Sequence, residues 1–376
     1  MISVFGSKVG PEEQAALAAC LEDQWLGLGE RTARFEEGMR ERLGLGHFLM
    51  VDSGSNALYL AMRLLDLPAG SSVLLPSFTW VSCAHAVLLT GCRPVFCDVD
   101  PDTQNVTVET LRPHLGKDVK AIMIVHYAGK PVDLAPILDL GLPVIEDAAH
   151  AVDSRYRGQA CGSLGDIGIY SFDAVKNLTT GSGGGLTVRD PALAERARQL
   201  RYCGIGRSAF QAMRSDSGQV ARWWEQDIVD VSLRFAPSDL NAAIGLVQLE
   251  RLDALQERRR TIWMRYQAAF GQEPAIGTPS DPAPDERHSW FTYLVRIPGR
   301  DRVAKALLDA GIYTTLRFPP LHQQNLFGAQ ARLPVTEALA ETGLNLPLHP
   351  RLSDEDVEQV IDALLAAVRE ARAESA

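Results

Sequence analysis

At 376 residues, with 46% apolar and 22% charged side chains, the chain suits about two globular domains rather than one small core. A net charge of −10 argues against a nucleic-acid-binding face, because phosphates call for a basic surface. No apolar run approaches the ~18 residues of a membrane span, and the six cysteines contain no C-x-x-C pair, which argues against a zinc site.

The opening "MISVFGSKVGPEEQAALAA" has neither a basic start nor an apolar block, so the expectation is a cytoplasmic protein without a signal peptide. Next, "SNALYLAMRLLDL" places Ala57, Leu58, Ala61, Leu64 and Leu65 on one helical face. Five runs are near-continuously apolar: "VLLP" (Val73 to Pro76), "PVFCDV" (Pro94 to Val99), "AIMIVHY" (Ala121 to Tyr127), "PVIED" (Pro143 to Asp147) and "IGIYSF" (Ile167 to Phe172). Strands buried on both faces of a parallel sheet read this way. Their alternation with helical patterns predicts a layered α/β domain extending to about Val188.

Gly204 to Val231 is polar and aperiodic, carries Trp223 and Trp224, and reads as a functional loop or one held by a partner. From Pro237 to Phe270 a single run at helical period puts Leu240, Ala243, Ile244, Val247, Leu252 and Leu255 inward, predicting one long helix that bridges two domains. "ERRR" (Glu257 to Arg260), within it, reads as a solvated face. A proline- and glycine-rich connection follows (Gly271 to Glu286), then a strand ("WFTYLVRI"), a helix ("DRVAKALLDAG") and a closing helix from Asp354. The expected division is a large domain over 1–250 and a small C-terminal α/β domain over 251–376.

Lys176, in "SFDAVKNLTTGSGGG", could be a covalent catalyst, a phosphate-binding charge or a surface lysine. A phosphate loop of the Walker kind places its lysine after the glycines, and here they follow it. In "DSGSNAL", Ser53, Gly54 and Ser55 open a helix, either as a simple N-cap or as an anion cup on the helix dipole. Asp147 ends "VIED" on the strand edge where α/β folds bind ligands, or else caps the next turn. Trp80 follows a strand end, as core filler or as a plate over a flat ligand. An anion cup, an aromatic plate, a buried carboxylate and a lysine, in that chain order, are the tools that pyridoxal 5′-phosphate (PLP) demands. The lysine makes the Schiff base and the acid partners the ring nitrogen.

The stretch "EDAAHAVDSRYRGQACGSLGDIGIYSFDAVKNLTTGSGGGLTV" resembles the DegT/DnrJ/EryC1/StrS aminotransferases, as do "LGERTARFEEGMRERLG", "LLPSFTWVSCAHAVLLTGCRPVFCDVDPDTQNV", "SDLNAAIGLVQLERL" and "LNLPLHPRLSDED". The resemblance implies a fold-type-I PLP transferase that aminates a keto sugar, commonly nucleotide-linked, or a keto-cyclitol. Glutamate or glutamine would be the donor, and pyridoxamine phosphate the form between half-reactions. It makes Lys176 the Schiff-base lysine and proton shuttle, and gives Asp147 the pyridinium proton. Trp80 would stack on the ring and His150 would lie near its 3-hydroxyl, while Gly54, Ser55, Asn56 and Ser171 would bind the phosphate. It implies a homodimer with shared active sites, the segment Gly204 to Val231 being the candidate for crossing the interface.

Relatives that dehydrate their sugars carry histidine in place of this lysine, so Lys176 implies transamination. The alternatives are another PLP reaction, such as dehydration or deoxygenation, and a non-enzymatic PLP-binding regulator. Three departures stand out. Arg234 occupies the position of an asparagine that reaches the neighbouring subunit's cofactor phosphate; Ser182 replaces a glutamate; and "LRFPPLH" puts Arg317 and Phe318 in place of a histidine–tyrosine pair. Arg317 and His322 are the candidate substrate residues.

Overall fold

A computed structural model of the chain describes residues 1–207, 224, 226–328 and 330–373. Seven strands make the central sheet: β1 (His47–Val51), β2 (Ser72–Pro76), β3 (Arg93–Cys97), β4 (Val119–Val125), β5 (Val144–Asp147), β6 (Ile167–Ser171) and β7 (Gly184–Val188). Their spatial order is β1-β7-β6-β5-β4-β2-β3. Every pair is parallel except those made by β7, which runs against both β1 and β6. The sheet is thus mostly parallel, as the apolar runs predict, and β1 and β7 extend it beyond them.

Successive side chains of a strand point to opposite faces, and two cores follow. Met123, Val125, Ile145, Ile167 and Ile169 pack with Ala57, Leu58, Ala61 and Leu64 of helix α1 (Gly54–Leu65). Ile122, Ile124 and Val144 pack on the other face with Phe78, Val132 and Ile137. Each fully buried branched side chain there stabilises the fold by about 1.5–3 kcal/mol.

A separate core gathers Trp263, Tyr266, Phe270, Tyr293, Val295, Val303, Leu307, Leu344, Leu346, Val357 and Leu364. Ile2 belongs to it as well, because strand Ile2–Ser3 pairs in parallel with Ile312–Tyr313.

Three expectations need correcting. Arg259, within the run read as a solvated face, is buried, its guanidinium donating to the carbonyls of Leu348 at 3.0 Å and Phe291 at 3.3 Å. The run from Pro237 to Phe270 is two helices, Asp239–Glu250 and Leu252–Phe270. They divide at Arg251 (φ −92°, ψ 0°), whose guanidinium is drawn to the buried Glu13 at 2.8 Å. Strand "WFTYLVRI" starts only at Tyr293, because Trp290 adopts φ 55° and turns the chain before it. Of the aperiodic segment, Ile205–Arg207 pairs antiparallel with Asp227–Ile228. Residues 208–223, Trp223 among them, lie outside the described residues.

Candidate active site

Asp147 is the last residue of β5, on the carboxyl edge where open α/β sheets bind ligands. It is buried, and its Oδ1 accepts the Ala149 N–H at 2.9 Å while Oδ2 accepts the Cys83 S–H at 3.1 Å. No cation lies within ion-pair reach of it among the described residues. Burial pushes its pKa up, against the pull of those two donors and the charge of Lys176.

Lys176 lies five residues past the end of β6, its N–H bonded to the Asp173 carbonyl at 3.0 Å. Its Nζ is 4.9 Å from the ring centroid of Phe291. Burial, with the positive charge of Arg317, pushes its pKa down to about 8, and Asp147 and Asp173 resist. The surface-lysine reading therefore gives way to an amine that is partly uncharged near neutral pH.

His150 stacks on Phe291 (centroids 4.0 Å apart, planes at 17°) and more distantly on Phe318 (5.9 Å, 22°). Burial and the charges of Lys176 and Arg317 push its pKa well below the usual range, so the imidazole is neutral. Its Nδ1 is buried and has no hydrogen-bond partner among the described residues.

Arg317 is 7% exposed, its guanidinium 4.8 Å from the ring of Phe5 and 4.8 Å from that of Phe291. Its N–H is bonded to Asn345 Oδ1 at 2.7 Å, and its carbonyl accepts the Tyr127 hydroxyl. Burial pushes its pKa down to about 10.

Phe291 thus touches Lys176, His150 and Arg317, a role the sequence hid inside an apparent strand. The turn at Trp290 creates it. The Phe291 N–H bonds the Ala128 carbonyl at 2.9 Å, and Ser289 Oγ bonds the His150 carbonyl at 2.7 Å. Gly129 makes this approach possible: at φ 89°, a Cβ there would fall 2.1 Å from Ser289 Oγ.

The start of α1 forms the second half of the site. Ser53 caps it, accepting the Asn56 N–H at 3.2 Å, so Gly54 and Ser55 lead a helix whose first N–H groups have no intrahelical partner. A Cβ on Gly54 would come 2.8 Å from that of Ser171, so the end of β6 lies directly against this turn. Ser55 Oγ pairs with Ser82 Oγ at 2.7 Å, and the Asn56 amide donates to Asp52 Oδ1 at 2.8 Å. Ser182, the departure from the glutamate pattern, braces the turn by donating to the Asp52 carbonyl at 3.0 Å.

Trp80 precedes helix α2 (Val81–Leu89) and is 54% exposed, its ring 5.5 Å from that of Phe318. It is no core filler. Arg234 is exposed and lies over its own chain's Tyr202 at 5.3 Å, one residue from Phe235, whose carbonyl accepts the Asp52 N–H. His322 uses both ring nitrogens locally, Nδ1 with Ser77 Oγ at 2.7 Å and Nε2 with Glu337 Oε1 at 3.4 Å.

An amine of lowered pKa that feels the charge of a buried carboxylate and shares Phe291 with a neutral imidazole, with an anion-receptive helix start against the end of β6, is equipped for proton transfer on a phosphorylated heterocycle. The profile of the DegT/DnrJ/EryC1/StrS aminotransferase family matches residues 7–365. The chain belongs to this family.

It is 39% identical, over 98% of its length and 97% of the relative's, to the dTDP-4-dehydro-2,3,6-trideoxy-D-glucose 4-aminotransferase of Saccharopolyspora spinosa. The aminotransferase TlmJ from Streptoalloteichus hindustanus superposes with a TM-score of 0.93 at 41% identity, covering 99% of this chain and 100% of TlmJ. A sugar aminotransferase candidate from Streptococcus pneumoniae superposes in its PLP form (TM-score 0.89, 25% identity) and its PMP form (0.90, 26%), each covering 97% of this chain and 98% of that one. As a member of the family the chain is an aminotransferase on the fold of these enzymes.

Proposed function

We propose that this aminotransferase uses PLP to move an amino group from glutamate or glutamine to the ketone of a nucleotide-linked sugar or of a cyclitol. The S. spinosa relative supports the sugar class, and the two forms of the S. pneumoniae protein support the cofactor and its pyridoxamine phosphate half-reaction form. The observation that carries the reading is Lys176, which shares the ring of Phe291 with the buried His150 and whose pKa, drawn down to about 8, feels the charge of Asp147, a buried carboxylate that no cation pairs among the described residues.

The residues present fit the cofactor. The unpaired Asp147 and the orphaned Nδ1 of His150 are complementary to a ring carrying a protonated nitrogen and a hydroxyl. When bound, the ring supplies an electron sink for the carbon that loses its proton. Lys176 would hold the cofactor through its amine and, once released, would carry the proton of the transfer; a pKa of about 8 would suit both directions. Asp147 faces the ring nitrogen, whose positive charge replaces the solvation the carboxylate lost on burial. His150 meets the 3-hydroxyl as a neutral imidazole and adds no further charge.

Gly54, Ser55, Asn56 and Ser171 receive the phosphate at the start of α1, and Trp80 stacks on the ring. The enzyme acts as a homodimer, a reading supported by exposed Leu88, Leu89, Ile228, Val231 and Leu233. In it Arg234 serves the neighbouring subunit's phosphate. Arg317 faces the substrate, and His322 positions its segment through Ser77. The division into 1–250 and 251–376 is supported by the separate second core, with strand Ile2–Ser3 joining the smaller unit.

The test is the absorption spectrum of the purified protein before and after L-glutamate or L-glutamine, repeated with Lys176→Ala. A visible band of lysine-bound cofactor is expected, fading with donor and missing from the variant. A wild type that binds no PLP, or a variant with the same band, overturns the assignment.

A further inference from the structure

We propose that Arg317 is the anchor for the α-carboxylate of the amino donor, and that the acceptor binds without it. The proposal rests on the aminotransferase reading above and names which of the two substrates this residue recognises.

The guanidinium carries five N–H donors. Among the described residues it makes no hydrogen bond, and no carboxylate lies within ion-pair reach. Aromatic faces take the place of a counter-ion, with Phe5 and Phe291 each 4.8 Å away. Asp173 and the Tyr127 phenol act on it only at longer range. Contact with two rings is weaker than the solvation an ion gives up on burial. A buried cation in this state is completed by an anion from outside.

The side chain is held ready for it. Asn345 and Tyr127 fix the backbone of Arg317 on both sides, and the two rings clamp its planar head, so little entropy remains to be lost on binding. A planar fork matches a carboxylate through two parallel hydrogen bonds.

Position decides which anion. Arg317 and Lys176 share Phe291, at 4.8 Å and 4.9 Å from its centroid, so the bound anion lies close to the amine that does the chemistry. An amino acid brings its carboxylate one bond from the reacting carbon. A nucleotide-linked sugar keeps its phosphates away from its ketone, and the reacting end of the sugar or cyclitol is uncharged. The two substrates take turns at one site, and only the first carries charge where Arg317 stands.

The experiment titrates the visible band of the holoenzyme with L-glutamate, L-glutamine and isopropylamine, an amine without a carboxylate, in wild type, Arg317→Gln and Arg317→Lys. Calorimetry of a nucleoside diphosphate on the same proteins reports the phosphate alternative. Arg317→Gln should raise the half-saturating concentration of both amino acids by about 100-fold. Isopropylamine should weaken far less than the amino acids, by no more than the lost charge does through Lys176; the nucleoside diphosphate should stay within about twofold, and Arg317→Lys should recover part of the loss. Equal weakening for isopropylamine, or an unchanged amino-acid titration with the band intact, overturns the proposal. Loss of nucleoside diphosphate binding in Arg317→Gln overturns it in favour of a phosphate ligand. A wild type without the visible band overturns the PLP reading, and this proposal with it.

Discussion

Glu146 and Asp147 are consecutive carboxylates on β5, both buried, and they face opposite sides of the sheet. On one side, Glu146 accepts the N–H groups of Gly162 (2.8 Å), Leu164 (2.7 Å) and Gly165 (2.5 Å). It also takes His126 Nε2 at 2.9 Å, and the Val132 N–H bonded to His126 Nδ1 fixes the tautomer that donates. Its capacity is filled from within the chain. On the other side, Asp147 has one backbone donor and one thiol, a weak one, and its pKa is raised. Burial is common to both. What separates a scaffold acid from a working one is the hydrogen-bonding capacity left open.

The comparison breaks most visibly, if it breaks, in Asp147→Ala. Its donor half-reaction, followed by stopped-flow absorbance, should slow by about 10³-fold. The unfolding midpoint of the cofactor-free protein should hold or rise, because a poorly solvated charge has been removed; a clear fall would make Asp147 a second Glu146. Glu146→Ala should do the reverse. Leaving its donors unpaired costs about 3–5 kcal/mol in urea denaturation, with donor titration of the folded fraction nearly unchanged.

A subtler contrast lies in pH. The folded pKa of Asp147 is above its unfolded value of 3.8, so its ionised form weakens the fold. The cofactor-free wild type should lose stability as pH climbs from about that value through the raised one. Asp147→Asn should lack this loss, whereas Glu146→Gln should keep it.

The smallest effect concerns Lys176. Its folded pKa of about 8 lies below the usual 10.5, so it is protonated below that point and reactive above it. PLP capture by cofactor-free protein, read from the growing visible band, should accelerate through pH ~8. Removing the charge that Asp147 contributes should move that midpoint lower.

The sheet side of the site was legible because its parts are local. "VIED" announces a buried strand ending in an acid; "DSGSNAL" announces a capped helix start; and the family blocks fix Lys176 between them. The Arg317 side was not, because chain reversals bring its parts together. Phe291 leaves its strand only because Trp290 takes φ 55°. Cys83, with no pattern in the sequence to mark it, donates to Asp147 across 64 positions of sequence. The break at Arg251 has neither proline nor glycine to announce it, and the residue's side chain is paired with Glu13 far upstream.

The pairing of Ile2–Ser3 with Ile312–Tyr313, and the contact of Phe5 with Arg317, tie together parts of the chain that are made far apart in time. On a ribosome, Ile2 waits until Ile312, the 310th residue added after it, exists to receive it. The central sheet can assemble during synthesis, but the wall carrying Arg317 cannot. A nascent chain stalled before that point would own Lys176 and Asp147 and still lack the arginine that faces them across Phe291.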